Sequence, residues 1–432
     1  MKIGVFAQYI NTRKDIRDLI LGLNKKLTIV LLLDERDKAL ANLIGDGVEI
    51  RYFSTRKYRY RNYIFEKLYK LFGKIPKSKE NYYITENFKL HNAGLSGIFY
   101  VIEWFTLRLS KITMKFISYK KYLSLLKSDQ AHILKDIDKF FCITQIYNDM
   151  MYAAIQKTGK PVINYVYSWD HSCKMKCFLH TEKNLYLTWS EAIKQDLIEL
   201  QQISAVRIHI LGASQLIYLF DYLSNDHPAG KTLPPYIYLA GGTGNGQLLQ
   251  EEISMMEILI KTSLASSKNV LFKIRPYPFV KNMSVYNRLA AYPNTEIEKI
   301  SDFKKGESQF SSDYESKYNS IKGGLALFHF GTTLSLEAAH INVPVILIDT
   351  AHEENFKQLN CFIHQYQNDK YLNQPESGNV LKSTKYLNDL IDKLLNSRAD
   401  FLPYNAQLKK VGQIENMETI LNKLIVELNQ VA

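Results

Sequence analysis

Residues 325–349, LALFHFGTTLSLEAAHINVPVILID, constrain the fold more than any other stretch of the chain. Two short apolar runs, 325–330 and 345–349, lack polar alternation, which is the pattern of strands covered on both faces of a parallel α/β sheet. Between them a Gly331-Thr332-Thr333 turn opens a short helix over 334–340. Gly331 allows a sharp turn and the close approach of a ligand, and Thr332 or Thr333 can cap the helix. The N–H groups at the start of that helix suit a phosphate. Glu337, on its first turns, is placed to accept hydrogen bonds from a ribose diol. A strand–turn–helix at the C-terminal edge of a sheet is where open α/β proteins bind ligands. An ordinary βαβ unit with a surface glutamate has the same local pattern.

The rest of the chain repeats this rhythm. Strands are expected at 3–8, 27–34, 48–54, 139–145, 161–168, 185–189 and 207–214, with helices at 15–24, 146–158 and 190–202 between them. A polar, turn-rich run at 223–231 marks a linker. A second series begins at 235 with a strand, the turn Gly241-Gly242-Thr243-Gly244-Asn245-Gly246 and a long helix. Its glycines can wrap a phosphate with bare N–H groups, although their spacing is neither a Walker loop nor the dinucleotide fingerprint. The strand 269–275 ends in Lys273 and Arg275 beside two prolines, a place for phosphate binding. His329 is expected in the core, and 311–324 as a solvent-facing helix. His352, Glu353 and Glu354 fall at an exposed helix start after the strand 345–349. The expected fold is α/β, with two Rossmann-like domains facing across a cleft. They span 1–225 and 233–410, with a last helix within 411–432.

The formal net charge of +12 gathers early. Residues 51–79 mix many Lys and Arg with Tyr and Phe against a single Glu, and 98–127 carries large apolar residues at helical spacing with lysines between them. Together they form a helical basic insertion at about 55–130. The first segment fits an anionic membrane surface; the second is expected to pack its apolar face on the first domain. No nucleic-acid recognition module accompanies the charge. No run reaches the ~18 apolar residues of a membrane span, and the N-terminus reads as a strand, so the cytoplasm, with a peripheral place on the inner membrane face, is the expected compartment. Four cysteines are too few for a disulfide framework, and Cys173 and Cys177 with His171 and His180 match no zinc spacing, so no metal is expected.

FGTTLSLEAAHINVPVILID resembles the donor-binding segment of nucleotide-sugar-dependent glycosyltransferases of the two-Rossmann-domain (GT-B) architecture, of the bacterial surface-polysaccharide type. The resemblance implies that Gly331, Thr332 and Thr333 meet phosphate, that Glu337 binds ribose and that Pro344 is the loop proline. Asn342 stands where glycine is usual, a residue that tolerates left-handed dihedrals. It also implies that Gly241, Gly242, Thr243 and Gly244 face the donor's phosphates. KIRPYP resembles a Lys-x-His-Pro-x-Pro strand end with Arg275 in the place of histidine. SWDH at 168–171 resembles an acceptor-side element, making Asp170 the first candidate for a general base, then His171, then Asp15 in the first loop.

The implied activity is transfer of a sugar from a nucleotide-activated donor to a glycan or lipid-linked acceptor. The nucleotide sugar is a co-substrate and no cofactor is expected. Lys273, Arg275 and helix N-termini are expected to stabilise the leaving phosphate. The resemblance also implies that the last helix, within 411–432, crosses back to the first domain. A CDP-polyol phosphate transferase, a non-hydrolysing epimerase, which calls for more acids and histidines around its cleft and no basic insertion, and a non-catalytic sugar-nucleotide-binding protein are the alternatives.

Overall fold

Among the described residues, thirteen strands form two parallel sheets. The structure, a computed structural model, describes all residues except 9, 11–12, 46, 55–56, 75–82, 84–85, 88–89, 92–96, 128–129, 144–149, 170–183, 226–233, 243–245, 267–269, 278–282, 299–313, 366–378 and 431–432. The first sheet holds β1 (Lys2–Ala7), β2 (Thr28–Asp34), β3 (Glu49–Phe53), β4 (Lys139–Ile143), β5 (Val162–Tyr165), β6 (Asn184–Thr188) and β7 (Ile208–Ile210), in the order β3-β2-β1-β4-β5-β6-β7. The second holds β8 (Tyr236–Ala240), β9 (Leu271–Arg275), β10 (Thr295–Ile297), β11 (Ala326–His329), β12 (Val345–Ile348) and β13 (Val380–Leu381), in the order β10-β9-β8-β11-β12-β13. Strands such as β1, β4 and β8 are apolar and buried along nearly their whole length, because helices cover both faces. In each sheet the order reverses once, between β1 and β4 and between β8 and β11. These reversals are the topological switch points at which doubly wound sheets bind ligands.

The first half carries α1 (Lys14–Asn24), then α2 (Arg59–Phe72), α3 (Gly97–Ser110) and α4 (Tyr119–Leu125) between β3 and β4, then α5 (Met150–Lys157), α6 (Glu191–Gln201) and α7 (Ile217–Ser224). The second half carries α8 (Gly246–Leu264), α9 (Tyr314–Gly323), α10 (Leu334–His340), α11 (Lys357–His364), α12 (Leu387–Asn396), α13 (Pro403–Lys409) and α14 (Met417–Gln430). The strand at 207–214 is shorter than its sequence suggests, since after Ile210 the chain turns at Gly212, whose φ is +108°. The segment 311–324 is not solvent-facing: α9 buries Lys317, Tyr318, Ser320 and Ile321. It packs on α7 of the first half, with Tyr218 and Tyr314 stacked at 4.2 Å and the Tyr222 hydroxyl donating to Asn319 Oδ1 at 2.8 Å.

The chain returns to the first sheet through Val411 and Gly412. The Val411 carbonyl accepts from Ser190 Oγ, and the Gly412 carbonyl meets His340 Nε2 at 2.9 Å. Helix α14 then lies on α1, with its Leu428 carbonyl taken by Lys139 Nζ and its Glu427 by His209 at 2.8 Å. In the insertion, α2 and α3 pack side by side and rest on α4 through Tyr69, which stacks on Tyr122 at 4.5 Å. Segment 98–127 divides: Tyr119, Tyr122, Leu123 and Leu126 are buried in the first core as expected, whereas on α3 Ile98, Phe99, Val101, Phe105 and Leu109 are exposed.

Candidate functional site

At the second switch point β8 runs into Gly241-Gly242 and β11 into Phe330-Gly331. The β8–β11 pairing puts Ala240 opposite His329, so the two predicted turns leave the sheet side by side. A Cβ on Gly242 would lie 3.6 Å from the Gly331 carbonyl oxygen. Gly331 has φ +107°, which a side chain would strain, and its N–H donates to His329 Nδ1 at 2.9 Å. His329 is fully buried, as expected, and burial lowers its pKa to about 3, so it locks the turn as a neutral ring. Thr332 and Thr333 are half-buried, and neither hydroxyl caps α10. The N–H groups of Thr332, Thr333 and Leu334 meet no partner among the described residues.

The glycine turn is already partly occupied. Gly241 N–H donates to the Arg275 carbonyl at 2.9 Å, and Gly242 N–H donates to Glu252 Oε1 at 2.5 Å. Glu252, buried on α8, is a residue the sequence reading passed over; its position one helical stretch after a Gly-rich turn was the available signal. The remaining turn amides, including those of Thr243 and Gly244, lie outside the described residues.

Glu337 sits inward. Its Oε1 and Oε2 lie 2.9 and 2.8 Å from Lys317 Nζ, and the two side chains are 3% and 7% exposed. Burial lowers the Lys317 pKa, against which the charge of Glu337 pulls upward. Arg275 is likewise buried. Its Nη1 lies 2.6 Å from Glu298 Oε2, which also accepts from the Tyr238 hydroxyl at 2.6 Å. Lys273 is half-buried, 3.5 Å from Glu296. The parallel register aligns Glu296 with Lys273, so β9 and β10 face each other with two cation–carboxylate pairs on one side. Both predicted phosphate-binding cations therefore have carboxylate partners within their own sheet.

On the first sheet, Asp15 opens α1 and is 1% exposed. Arg13 grips it with two bonds, Nε to Oδ1 at 2.7 Å and Nη2 to Oδ2 at 2.6 Å, while Ser214 Oγ donates to Oδ2 at 2.6 Å. Burial alone would raise its pKa, but Arg13 and Ser214 outweigh that and hold it below the usual carboxylate value. Ser214 is fixed in turn by the Tyr165 hydroxyl, which accepts its N–H at 2.9 Å and donates to the Gly212 carbonyl at 2.7 Å. Asp170 and His171 lie outside the described residues, as do Cys173 and Cys177. Trp169, just before them, is buried, and its Nε1–H donates to Thr333 Oγ1 at 3.0 Å.

The predicted residues of the two halves thus converge. Trp169 reaches the Gly-Thr-Thr turn directly. On α9, burial raises the Tyr314 pKa well above the ordinary phenol value, and the charges of Asp15 and Glu337 push the same way. Arg13, Lys14, Tyr218 and Tyr314 line the junction beside them, with Lys14 Nζ 4.4 Å from the Tyr218 ring centre. Although no Asp-x-Asp metal motif is expected, the chain does contain one such triplet, Asp136-Ile137-Asp138, just before β4 and away from this junction. There Asp136 pairs with Lys2 at 2.9 Å and Arg51 at 2.5 Å, so this acidic pair serves the opposite edge of the sheet.

No protein-family model matches the chain, and no curated protein matches it in sequence. Several solved structures align along its length. S. aureus MnaA with UDP does so at 11% identity and a TM-score of 0.47, over 99% of this chain and 96% of that one. Anabaena HepE in complex with UDP-glucose aligns at 10% identity and 0.47, over 99% of each. The lipopolysaccharide outer core galactosyltransferase WaaB in its apo form aligns at 12% and 0.45, over 99% and 100%. Similarity at this level carries no activity across, and the description of the fold rests on the strand order itself.

Proposed function

We propose that this chain is a glycosyltransferase that moves a sugar from a nucleotide-activated donor to a glycan or lipid-linked acceptor without a metal. The observation that carries the reading is the meeting of the second sheet's switch point with the loop that leaves β5 of the first sheet. The Gly242 and Gly331 turns lie side by side on the second sheet, and Trp169 of the first sheet bonds to the second of these turns. Such a junction offers bare backbone for a diphosphate beside the bond that ties the two halves together. The donor's nucleotide lies on the 233–410 unit and the acceptor enters from the 1–225 unit, with 411–432 fastening the two.

Within this reading the general base is Asp170, with His171 next. Asp15 is the weaker candidate, because a carboxylate held by two bonds from Arg13 and one from Ser214 has little tendency to take a proton. Its place is to fix the first loop. Glu337 binds the ribose by exchanging part of its contact with Lys317, and Thr332, Thr333 and Leu334 offer their N–H groups to phosphate. The basic insertion faces an anionic membrane surface, bringing the site to a lipid-linked acceptor.

The test is release of nucleoside phosphate from a panel of nucleotide sugars in the presence of membrane extract, with the product sugar traced by mass. Transfer to a larger glycan or lipid supports the reading. Isomerisation of the sugar nucleotide without transfer, or binding without turnover, overturns it.

A further inference from the structure

Nineteen large hydrophobic side chains are exposed among the described residues, and eleven of them lie between 60 and 116. On α2 they are Tyr60, Ile64 and Leu68, one per helical turn along a single face. On α3 and the strap that follows, Phe99, Phe105, Ile112, Met114 and Phe116 are each more than half exposed. The strap is pinned beside α2, since Phe116 and Ile117 N–H both donate to the Phe72 carbonyl. The two stripes and the strap therefore belong to one packed unit. A soluble surface rarely concentrates apolar side chains in this way unless something covers them.

Charge says what covers them. Between 57 and 127 the chain has fifteen Lys and Arg against four Glu and no Asp, so this short stretch supplies nearly all of the +12. Its described carboxylates turn inward. Glu103 meets Lys67, and Lys70 at 2.8 Å; Glu86 lies 3.5 Å from Lys70; Glu66 lies 3.8 Å from both lysines. With the described acids consumed in that seam, the outward charges among the described residues are cations such as Arg59, Arg61, Lys74, Arg108 and Lys111. An apolar face rimmed by cations matches an anionic bilayer, with acyl chains beneath and phosphates at the rim. Among the described residues no helix is long and apolar enough to cross a membrane, and the 14 residues of α3 span only ~21 Å at 1.5 Å each, short of the ~30 Å hydrocarbon core.

We propose that the outer face of α2, α3 and the strap is a bilayer-insertion surface, its apolar side chains entering the acyl layer of an anionic membrane while the flanking Arg and Lys hold the headgroups. This deepens the membrane part of the reading above from contact to insertion. It is independent of the sugar chemistry, because vesicle binding and turnover are measured separately.

The experiment uses the full chain with vesicles of phosphatidylcholine alone or mixed with phosphatidylglycerol, some carrying brominated acyl chains. Trp104 reports from the insertion, while Trp169 and Trp189 are buried in the core. Binding to the mixed vesicles is expected, with bromine quenching of tryptophan emission and a fraction that persists at about 0.5 M salt, where headgroup attraction is screened. Phe99→Glu with Phe105→Glu should weaken partitioning about tenfold or more and leave the melting temperature unchanged, since both side chains are exposed. Arg59→Gln with Arg61→Gln should weaken binding to the anionic vesicles about tenfold and barely alter binding to the neutral ones. Absence of vesicle binding overturns the proposal. So does binding that vanishes in salt without quenching, which makes the contact purely electrostatic. A stable dimer in lipid-free solution that Phe99→Glu with Phe105→Glu dissolves also overturns it, by assigning the face to a second copy.

Discussion

The indole of Trp169 donates to the hydroxyl of Thr333 at 3.0 Å, joining the end of the first sheet's fifth strand to the turn that opens α10 in the second half. The threonine that looks like a helix cap in sequence is thus a link between halves, and α10 begins without a side-chain cap. Trp169→Phe keeps the aromatic packing and loses the bond, so urea unfolding should show a loss of about 1 kcal/mol. Thr333→Val should cost a similar amount, and the double variant should cost little more than either alone. Strict additivity would show that the bond contributes nothing in solution.

Glu337→Ala leaves Lys317 charged and buried without its carboxylate, an arrangement that typically costs about 3–5 kcal/mol. Lys317→Met combined with Glu337→Leu should recover most of that stability. Nucleotide affinity should stay low in the recovered variant, because the ribose still lacks its acceptor. Recovery of both stability and affinity would confine Glu337 to a structural pair.

Acid should loosen this protein earlier than carboxylate loss alone predicts. His329 is buried and His340 half-buried, and burial lowers their pKa values to about 3 and about 4. Both stay neutral in the fold while the unfolded chain takes up protons below about 6.5, so stability falls as pH drops from about 6.5 toward 4. Between pH 7 and 5 each contributes a loss of about 2 kcal/mol. His329→Gln should flatten the pH dependence of the urea midpoint over that range, whatever it does to stability at pH 7. An unchanged slope would show that the ring is already protonated or solvated in the fold.

Asp170→Asn and Asp15→Asn should move different quantities. The first removes the proposed base and should cut turnover by ~10²–10⁴ with nucleotide affinity and melting unchanged. The second weakens the Arg13 ion pair and should lower stability, leaving the folded fraction active. The reverse pattern would move the base to Asp15.

Most strands were legible because they are short, largely apolar runs, and α10 spans the 334–340 expected of it, whereas β10 and β13, three and two residues long, gave no such signal. Asn342 takes φ +61°, the left-handed conformation its place in the motif requires. The pairings were not legible. Lys317 and Glu337 sit on different helices on either side of β11, and no periodicity states which faces of two helices meet. Arg275 and Glu298 could be paired only after β9 and β10 were known to be neighbours in parallel register. The apolar stripe of α3 failed for a further reason. Helical spacing shows that a face is apolar, and it reads the same whether a protein core or a bilayer lies against it.

The central claim is that a nucleotide sits where the Gly242 and Gly331 turns meet. Calorimetric titration with UDP, GDP, CDP, CMP and dTDP, on the parent and on Gly242→Val, tests it most directly. A valine there finds ordinary contact distance to Gly331 but fills the space beside the turn. The account predicts that one nucleotide binds the parent, raising stability by about 2.7 kcal/mol at a hundredfold excess over its dissociation constant, and that the folded valine variant does not bind it. A parent that binds none of the five, or a valine variant that binds as tightly as the parent, would contradict it.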